Sequence, residues 1–267
     1  MYDPKLYRET TNLFVKSHIK KIINCYSNLL NWNQNENILE IGCGDGSTTI
    51  EILVDFISKN VSNFNYLATD LLQPMINLAT NDYLHDRVTF KQADILDEKL
   101  WLNYKECFTK IFSILCLMVV PNPTIWVKNI YNVLKQNGQI FLILTSTNPM
   151  MKQHISLSQQ EKWSKYQKSN FFLSDYLLSD NPTSWIIQLL RNGGFKDIQQ
   201  HEIVYDTNLK DFKSAYQFVK AFTSLNENIP EELKDEYLNE MCENIEKEVL
   251  NDEKYSYISY DVITARK

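Results

Sequence analysis

The chain has 267 residues, 44% hydrophobic and 22% charged, which suits one well-cored domain, or a domain with a cap, and excludes wholesale disorder. Its formal net charge is -6, so it repels a phosphate backbone, and a nucleic-acid partner is not expected. The first residues, MYDPKLYRETTNLFVK, lack an apolar core flanked by charge, so no secretory leader is expected, and no apolar run reaches the ~20 residues of a membrane span.

Taken in chain order, residues 9–30 predict a helix with Leu13, Ile19, Ile22, Ile23, Tyr26, Leu29 and Leu30 on one face. Residues 37–41 predict a short strand that enters a glycine-rich turn. Residues 47–60 predict a helix, with Ser/Thr at its start and Ile50, Leu53, Val54 and Ile57 on its apolar side. A second strand follows at 65–70 and a second helix at 73–83, with Pro74 suited to its first turn. Strands at 88–94 and 110–116 precede a helix at 123–135, for which Asn137-Gly138 reads as a stop, and a fifth strand at 139–145. A helical, aromatic-rich stretch at 148–180 and a helix at 182–191 lead to a sixth strand at 196–205. Helices at about 208–225 and 230–250 precede a last strand at 256–266, able to pair antiparallel at the sheet edge. Alternating strands and helices predict an α/β fold with a doubly wound, seven-stranded Rossmann-like sheet.

The five Cys, at 25, 43, 107, 116 and 242, have no metal spacing, so no metal is expected. Their odd number argues against a disulfide framework and for a reducing, cytoplasmic setting.

The chemistry is carried by ILEIGCGDGST at 38–48. Glu40 stands two residues before Gly42, and Gly44 and Gly46 follow at alternate positions. A turn from strand to helix that holds a ligand against its backbone has no room for a Cβ. An acid at Glu40 suits an amino-acid ligand end and suits a pyrophosphate poorly. Asp70 closes the second strand, where a carboxylate can accept from two ribose hydroxyls. Asp94 closes the third, placed for an adenine amino group. Each strand-end acid could instead cap the next helix, and a lone glycine turn could hold no ligand. Three such features after three successive strands make coincidence improbable.

In these residues the chain resembles class I methyltransferases that use S-adenosylmethionine (SAM). More narrowly it is similar to the insect juvenile hormone acid methyltransferases. That likeness rests on LEIGCGDGSTTI (39–50), LCLMVVPN (115–122), NIYNVLKQNGQIFLI (129–143), TNPM (147–150) and EKWSKY (161–166). It implies one methyltransferase domain over 1–267, with cap elements at about 1–30 and 148–180 and SAM as cofactor. Glu40, Gly42, Gly44, Asp70, Leu71, Asp94, Ile95 and Ile114 would hold SAM. Phe14, Val15, Met118, Val119, Trp163 and Tyr166 would border the substrate. The implied reaction is methylation of the carboxylate of farnesoic or juvenile hormone acid, and a homodimer is compatible with it. The family carries a His-Trp pair where this chain has Met118-Val119, and a Gln on the N-terminal helix where this chain reads Asn12-Leu13-Phe14-Val15.

No catalytic residue is assigned. Methyl transfer is an in-line displacement that needs alignment and exclusion of water. A carboxylate is ionised at neutral pH and needs no general base, whereas an alcohol or phenol needs one. His18 and His154 are the two histidines in segments that could border a pocket. The expected substrate is therefore a small apolar acid. A phenol or amine substrate, or a SAM-binding scaffold without turnover, remain as alternatives.

Overall fold

The computed structural model describes residues 5, 7–9, 15–147, 149–166, 174–206, 216, 219–220, 229–251 and 257–267. Strands β1 (Asn35–Ile41), β2 (Asn63–Asp70), β3 (Val88–Gln92), β4 (Phe108–Ile114), β5 (Leu134–Thr147), β6 (Lys196–Asp206) and β7 (Tyr257–Arg266) form one sheet. Their order is β3-β2-β1-β4-β5-β7-β6. β1 runs parallel to both β2 and β4, so chain order reverses between β1 and β4. In an open sheet of this kind the crevice at the carboxyl ends of those two strands is where ligands bind.

Two expectations need correction. β7 is antiparallel as expected, but it lies between β5 and β6 rather than at the edge. Ile258–Ala265 are all buried, and a strand covered on both faces belongs inside a sheet. β6 is the strand at that edge, and its residues are all exposed or half-buried. The second correction concerns Asn137-Gly138. The helix before it, Pro123–Val133, already ends where β5 begins at Leu134. Asn137, with φ 63°, sits in a break of register where Phe108 pairs with Leu134 but Lys110 with Gln139. The turn signal is thus a bulge inside the strand, which extends it back from the expected 139.

The helices follow the apolar periodicity. α1 (Lys16–Tyr26) buries Ile19, Ile22 and Ile23. The segment expected as one helix over 47–60 is a π-helical turn, Thr49–Val54, continuing into α2 (Asp55–Asn60). α3 (Gln73–Asp82) carries Pro74 in its first turn. α4 (Glu98–Leu102), not foreseen, is capped by Asp97, which accepts from the Leu100 N–H at 3.1 Å. α5 is Pro123–Val133.

Beyond β5 come α6 (Pro149–Ser158), α7 (Glu161–Ser164), α8 (Asp175–Leu178) and α9 (Pro182–Asn192), and, before β7, α10 (Glu231–Asn251). α6, α7 and α10 pack as a unit. Tyr237 and His154 Nδ1 hydrogen-bond at 2.7 Å, and Trp163 stands edge-on to Tyr237 at 5.0 Å with its indole N–H donated to Glu240 at 3.0 Å. Buried Asp261 ties α8 and α9 to the sheet. It accepts from the Tyr176 and Thr183 hydroxyls at 3.3 and 2.7 Å and from Gln200 Nε2 at 2.7 Å. Phe171 and Phe172, expected in the cap, and most of the helix expected at 208–225 lie outside the described residues. Among the described residues no helix is long and apolar enough to cross a membrane.

Candidate functional site

The turn after β1 takes three left-handed residues, Gly42, Gly44 and Gly46, with φ of 80°, 56° and 78°. The Gly42 and Cys43 N–H groups both donate to Thr69 O, at 2.8 and 2.9 Å, which pins the turn to the end of β2. The glycines are required for different reasons. A Cβ on Gly42 would stand 2.3 Å from both Cβ and Sγ of Cys116, at the end of β4. A Cβ on Gly46 would stand 2.9 Å from Ala79 and from Phe90. Among the described residues, a Cβ on Gly44 would meet only Tyr7 Cε1, at 3.7 Å. Protein thus crowds Gly42 and Gly46, whereas Gly44 is the open one among the described residues.

Asp70 ends β2 beside this opening. One carboxylate oxygen accepts from the Gly44 N–H at 2.9 Å and the other from the Leu72 N–H at 2.9 Å. Burial raises its pKa against the lowering effect of those amide bonds. Glu40 is fully buried under the turn. Its Oε2 accepts from Thr49 Oγ1 at 2.7 Å and from the Tyr66 hydroxyl at 2.9 Å. Burial, reinforced by Asp70 and opposed by those two bonds, pushes its pKa up to about 7. Asp94 is exposed at the end of β3, one oxygen accepting from the Leu96 N–H at 2.8 Å. Ile95 is buried and Leu71, 48% exposed, lies bare beside Asp70. Ile114 ends β4, and the chain then turns through Leu115, at φ 55°, into a 3-10 turn over Leu117–Val119. The cofactor-side residues named from sequence thus gather at the ends of β1 to β4, around the reversal of strand order.

Tyr7 and Arg8 were not singled out in the sequence. The Tyr7 ring lies over Gly44, and burial first, then Asp45, Asp70, Cys116 and Cys43, raise the pKa of its hydroxyl. Arg8 pairs with Asp45 of the turn and with Asp82 at the end of α3. No helical periodicity marks either residue, and an Arg 37 and 74 residues from its two partners in sequence gives no spacing signal.

On the substrate side, Phe14 lies outside the described residues and Val15 is buried at the start of α1. Met118 is buried, and its sulfur accepts from Thr145 N at 3.2 Å and Thr145 Oγ1 at 3.1 Å. Ser174 Oγ donates to Met118 O. Val119 is 9% exposed. Trp163 is buried against Tyr237 and Glu240 of α10, and half-buried Tyr166 stands beside it, their rings 6.4 Å apart. Both histidines are engaged. His18 meets the Tyr260 hydroxyl at 3.2 Å and stacks on Tyr205 at 4.4 Å. Burial lowers its pKa, and lowers that of His154, paired with Tyr237, to about 4. Since Tyr260 lies opposite Thr145 in register, the His18 pair stands at the same end of the sheet as Met118.

This fold and turn define a Rossmann-like methyltransferase. A methyltransferase-domain family model matches residues 33–186, and the chain belongs to that family; it is a SAM-dependent methyltransferase. It is similar to two enzymes named juvenile hormone acid O-methyltransferase. The Bombyx mori protein is 25% identical over 244 residues, covering 89% of this chain and 84% of its own. The Drosophila melanogaster protein is 27% identical over 255 residues, covering 91% and 82%. Among solved structures, the fold matches the [4+2]-cyclase SpnF, with a TM-score of 0.55, 16% identity and 93% of this chain covered against 80% of that one. It also matches Haemonchus contortus phosphoethanolamine N-methyltransferase 2, solved with phosphomonomethylethanolamine and S-adenosylhomocysteine. There the TM-score is 0.53, with 14% identity and 92% of this chain covered against 52% of that one.

Proposed function

We propose that the chain transfers the SAM methyl group to the carboxylate of a small apolar acid, of the farnesoic or juvenile hormone acid kind. The observation that supports the cofactor placement is the pairing of Gly44 with Asp70. The turn glycine that is least crowded among the described residues has its N–H held by the acid that ends β2, at 2.9 Å. The residues present fit the group. Asp70 would accept from the ribose hydroxyls and Asp94 from the adenine amino group, with Leu71, Ile95 and Ile114 giving apolar contact. Glu40 would balance the amino-acid end from beneath Gly42 and Gly44. SAM supplies an activated methyl group on a sulfonium; the protein has to align it with the acceptor and keep water away.

The acid substrate is supported by the character of the β4 loop. Met118 and Val119 are apolar, and His18 and His154 are each engaged with a tyrosine hydroxyl, with burial lowering the pKa of both rings. An ionised carboxylate asks nothing of a general base. The two named relatives are acid O-methyltransferases, which favours the same reading. α6, α7 and α10, with the N-terminal elements, would cover the acceptor.

Methyl transfer from labelled SAM to a panel of apolar acids, phenols and amines tests the reading; turnover confined to phenols or amines overturns it. Asp70→Ala is expected to weaken SAM binding by roughly 1.5–3 kcal/mol, the worth of hydrogen bonds to a charged group. Titration calorimetry on the folded variant checks this, and unchanged affinity sinks the placement. Val119→Trp is expected to reorder the acids by turnover while leaving SAM affinity intact. The same ranking across the panel would remove Val119 from the pocket.

A further inference from the structure

Among the described residues, Tyr7 is the only one a Cβ on Gly44 would approach, its ring edge 3.7 Å away. Gly44 is the turn residue that faces space, so the ring stands at the mouth of the cofactor site. It comes from a part of the chain remote from β1 to β4. A ring brought there without a tether would not stay, because ordering it costs conformational entropy.

The tether is Arg8. Its Nε pairs with one carboxylate oxygen of Asp45, its Nη2 donates to Asp45 O at 3.1 Å, and its Nη1 pairs with Asp82. The guanidinium also lies over the Tyr83 ring, 5.4 Å from its centre. Asp45 is buried, and its other oxygen accepts from Ser47 N at 3.2 Å and Ser47 Oγ at 2.9 Å. One acid of the glycine turn therefore holds both the start of the following helix and the N-terminal arginine. The fork geometry of Arg suits two acids at once, which a Lys point charge cannot reproduce.

We propose that Tyr7 forms a wall of the cofactor site, packing against SAM over Gly44, and that Arg8 is the positioning residue that holds it there. The hydroxyl, beside Asp45 and Asp70, stays protonated and serves as a neutral neighbour to their charges. Bound SAM, which carries a sulfonium, gains an aromatic face that its neutral product uses less, because cations are drawn to ring faces. Tyr7 therefore favours SAM over S-adenosylhomocysteine.

This rests on the placement of SAM proposed above, and the experiment separates the two. The full chain and its variants are titrated calorimetrically with SAM and with S-adenosylhomocysteine. Tyr7→Ala is expected to weaken SAM tenfold or more and the product by less, whereas Tyr7→Phe stays within about threefold of wild type. Arg8→Ala is expected to follow Tyr7→Ala, and Arg8→Lys to recover part of the loss. SAM affinity of the wild type is expected to fall with added salt more steeply than that of Arg8→Ala, a readout that a purely structural arginine would not move. If Arg8→Ala fails to fold, Asp82→Asn breaks only the outer arm of the tether and is expected to give an intermediate loss. Full SAM affinity in Tyr7→Ala, with loss in Asp70→Ala, overturns the role of Tyr7 and leaves the site standing. Tighter SAM binding in Tyr7→Ala also overturns it, since the ring would then be a plug rather than a wall. Loss in none of these variants, Asp70→Ala included, overturns the placement itself.

Discussion

Gly42→Ala is expected to cost about 2–5 kcal/mol of folding stability and to remove measurable SAM binding. The backbone at Gly42 has φ 80°, where a side chain costs roughly 1–2 kcal/mol. The added Cβ would also stand 2.3 Å from Cβ and Sγ of Cys116, and forced overpacking costs about 1–3 kcal/mol. Neither side can yield by itself, because the Gly42 N–H is bonded to Thr69 O at 2.8 Å and Cys116 opens the turn that places Met118 and Val119. Urea unfolding measures the loss. Adding Cys116→Gly should return the clash share and leave the φ share, and a double-mutant cycle reads the coupling. Gly44→Ala is the control. Its Cβ has 3.7 Å to Tyr7 Cε1 and nothing nearer among the described residues, so its stability should fall by only the ~1–2 kcal/mol of the left-handed backbone. Its SAM affinity should still drop. Equal stability losses at the two glycines would mean that Cys116 moves aside freely.

The same turn shows how far the sequence could be read. Strand periodicity and glycine spacing located β1 to β4 and the acids that end β2 and β3, because each signal is local. Order within the sheet is not local. The run YISYDVITA carries Ile258, Tyr260 and Val262 on one face but Ser259 and Asp261 on the other, so its pattern as well as its adjacency in sequence pointed to the edge, and only the fold shows that both polar side chains are buried. Asn137-Gly138 carried a true turn signal, but a left-handed Asn fits a bulge as well as a helix end. The reason for each glycine was equally hidden. Whether a Cβ would strike ligand or protein depends on Cys116 and Phe90, which the fold brings in from distant strands. Tyr7 and Arg8 were missed on the same ground, since their partners Gly44, Asp45 and Asp82 lie 37 or more residues away from them in the chain. Trp163 and Tyr166 were read with the pocket because they lie in a segment that leaves β5 at its carboxyl end. Trp163 also packs on Tyr237 and Glu240 of α10, and a helix about 70 residues further on leaves no trace in its local pattern.

Apo protein is expected to lose on the order of 3 kcal/mol of stability through Glu40 as pH rises from about 4.5 to 7. Burial is the main cause of the raised pKa, about 7 against 4.5 in an unfolded chain, and Thr49 and Tyr66 offset it only in part. The sign follows from proton binding. Below about 4.5 the carboxyl is protonated in both states and its contribution is complete. Between the two values the unfolded chain releases the proton while the folded one keeps it, so stability falls; above about 7 both are ionised and the loss is fixed. Asp70, also raised by burial, acts in the same direction, so the measurement compares wild type with Glu40→Gln. A Gln carbonyl can accept the bonds from Thr49 Oγ1 and the Tyr66 hydroxyl, which leaves the packing in place and removes the titration. Urea unfolding at pH 5 and pH 8 should show a steep fall in wild type and a shallow one in the variant. Binding should report the same group from the other side. The SAM ammonium, set above Glu40 as proposed, favours the ionised carboxyl. Binding at pH 7 should then release roughly half a proton, read from calorimetry in buffers of different ionisation enthalpy. Glu40→Gln should abolish that release. A variant that releases as much as wild type would assign the proton to another group and place the ammonium away from Glu40.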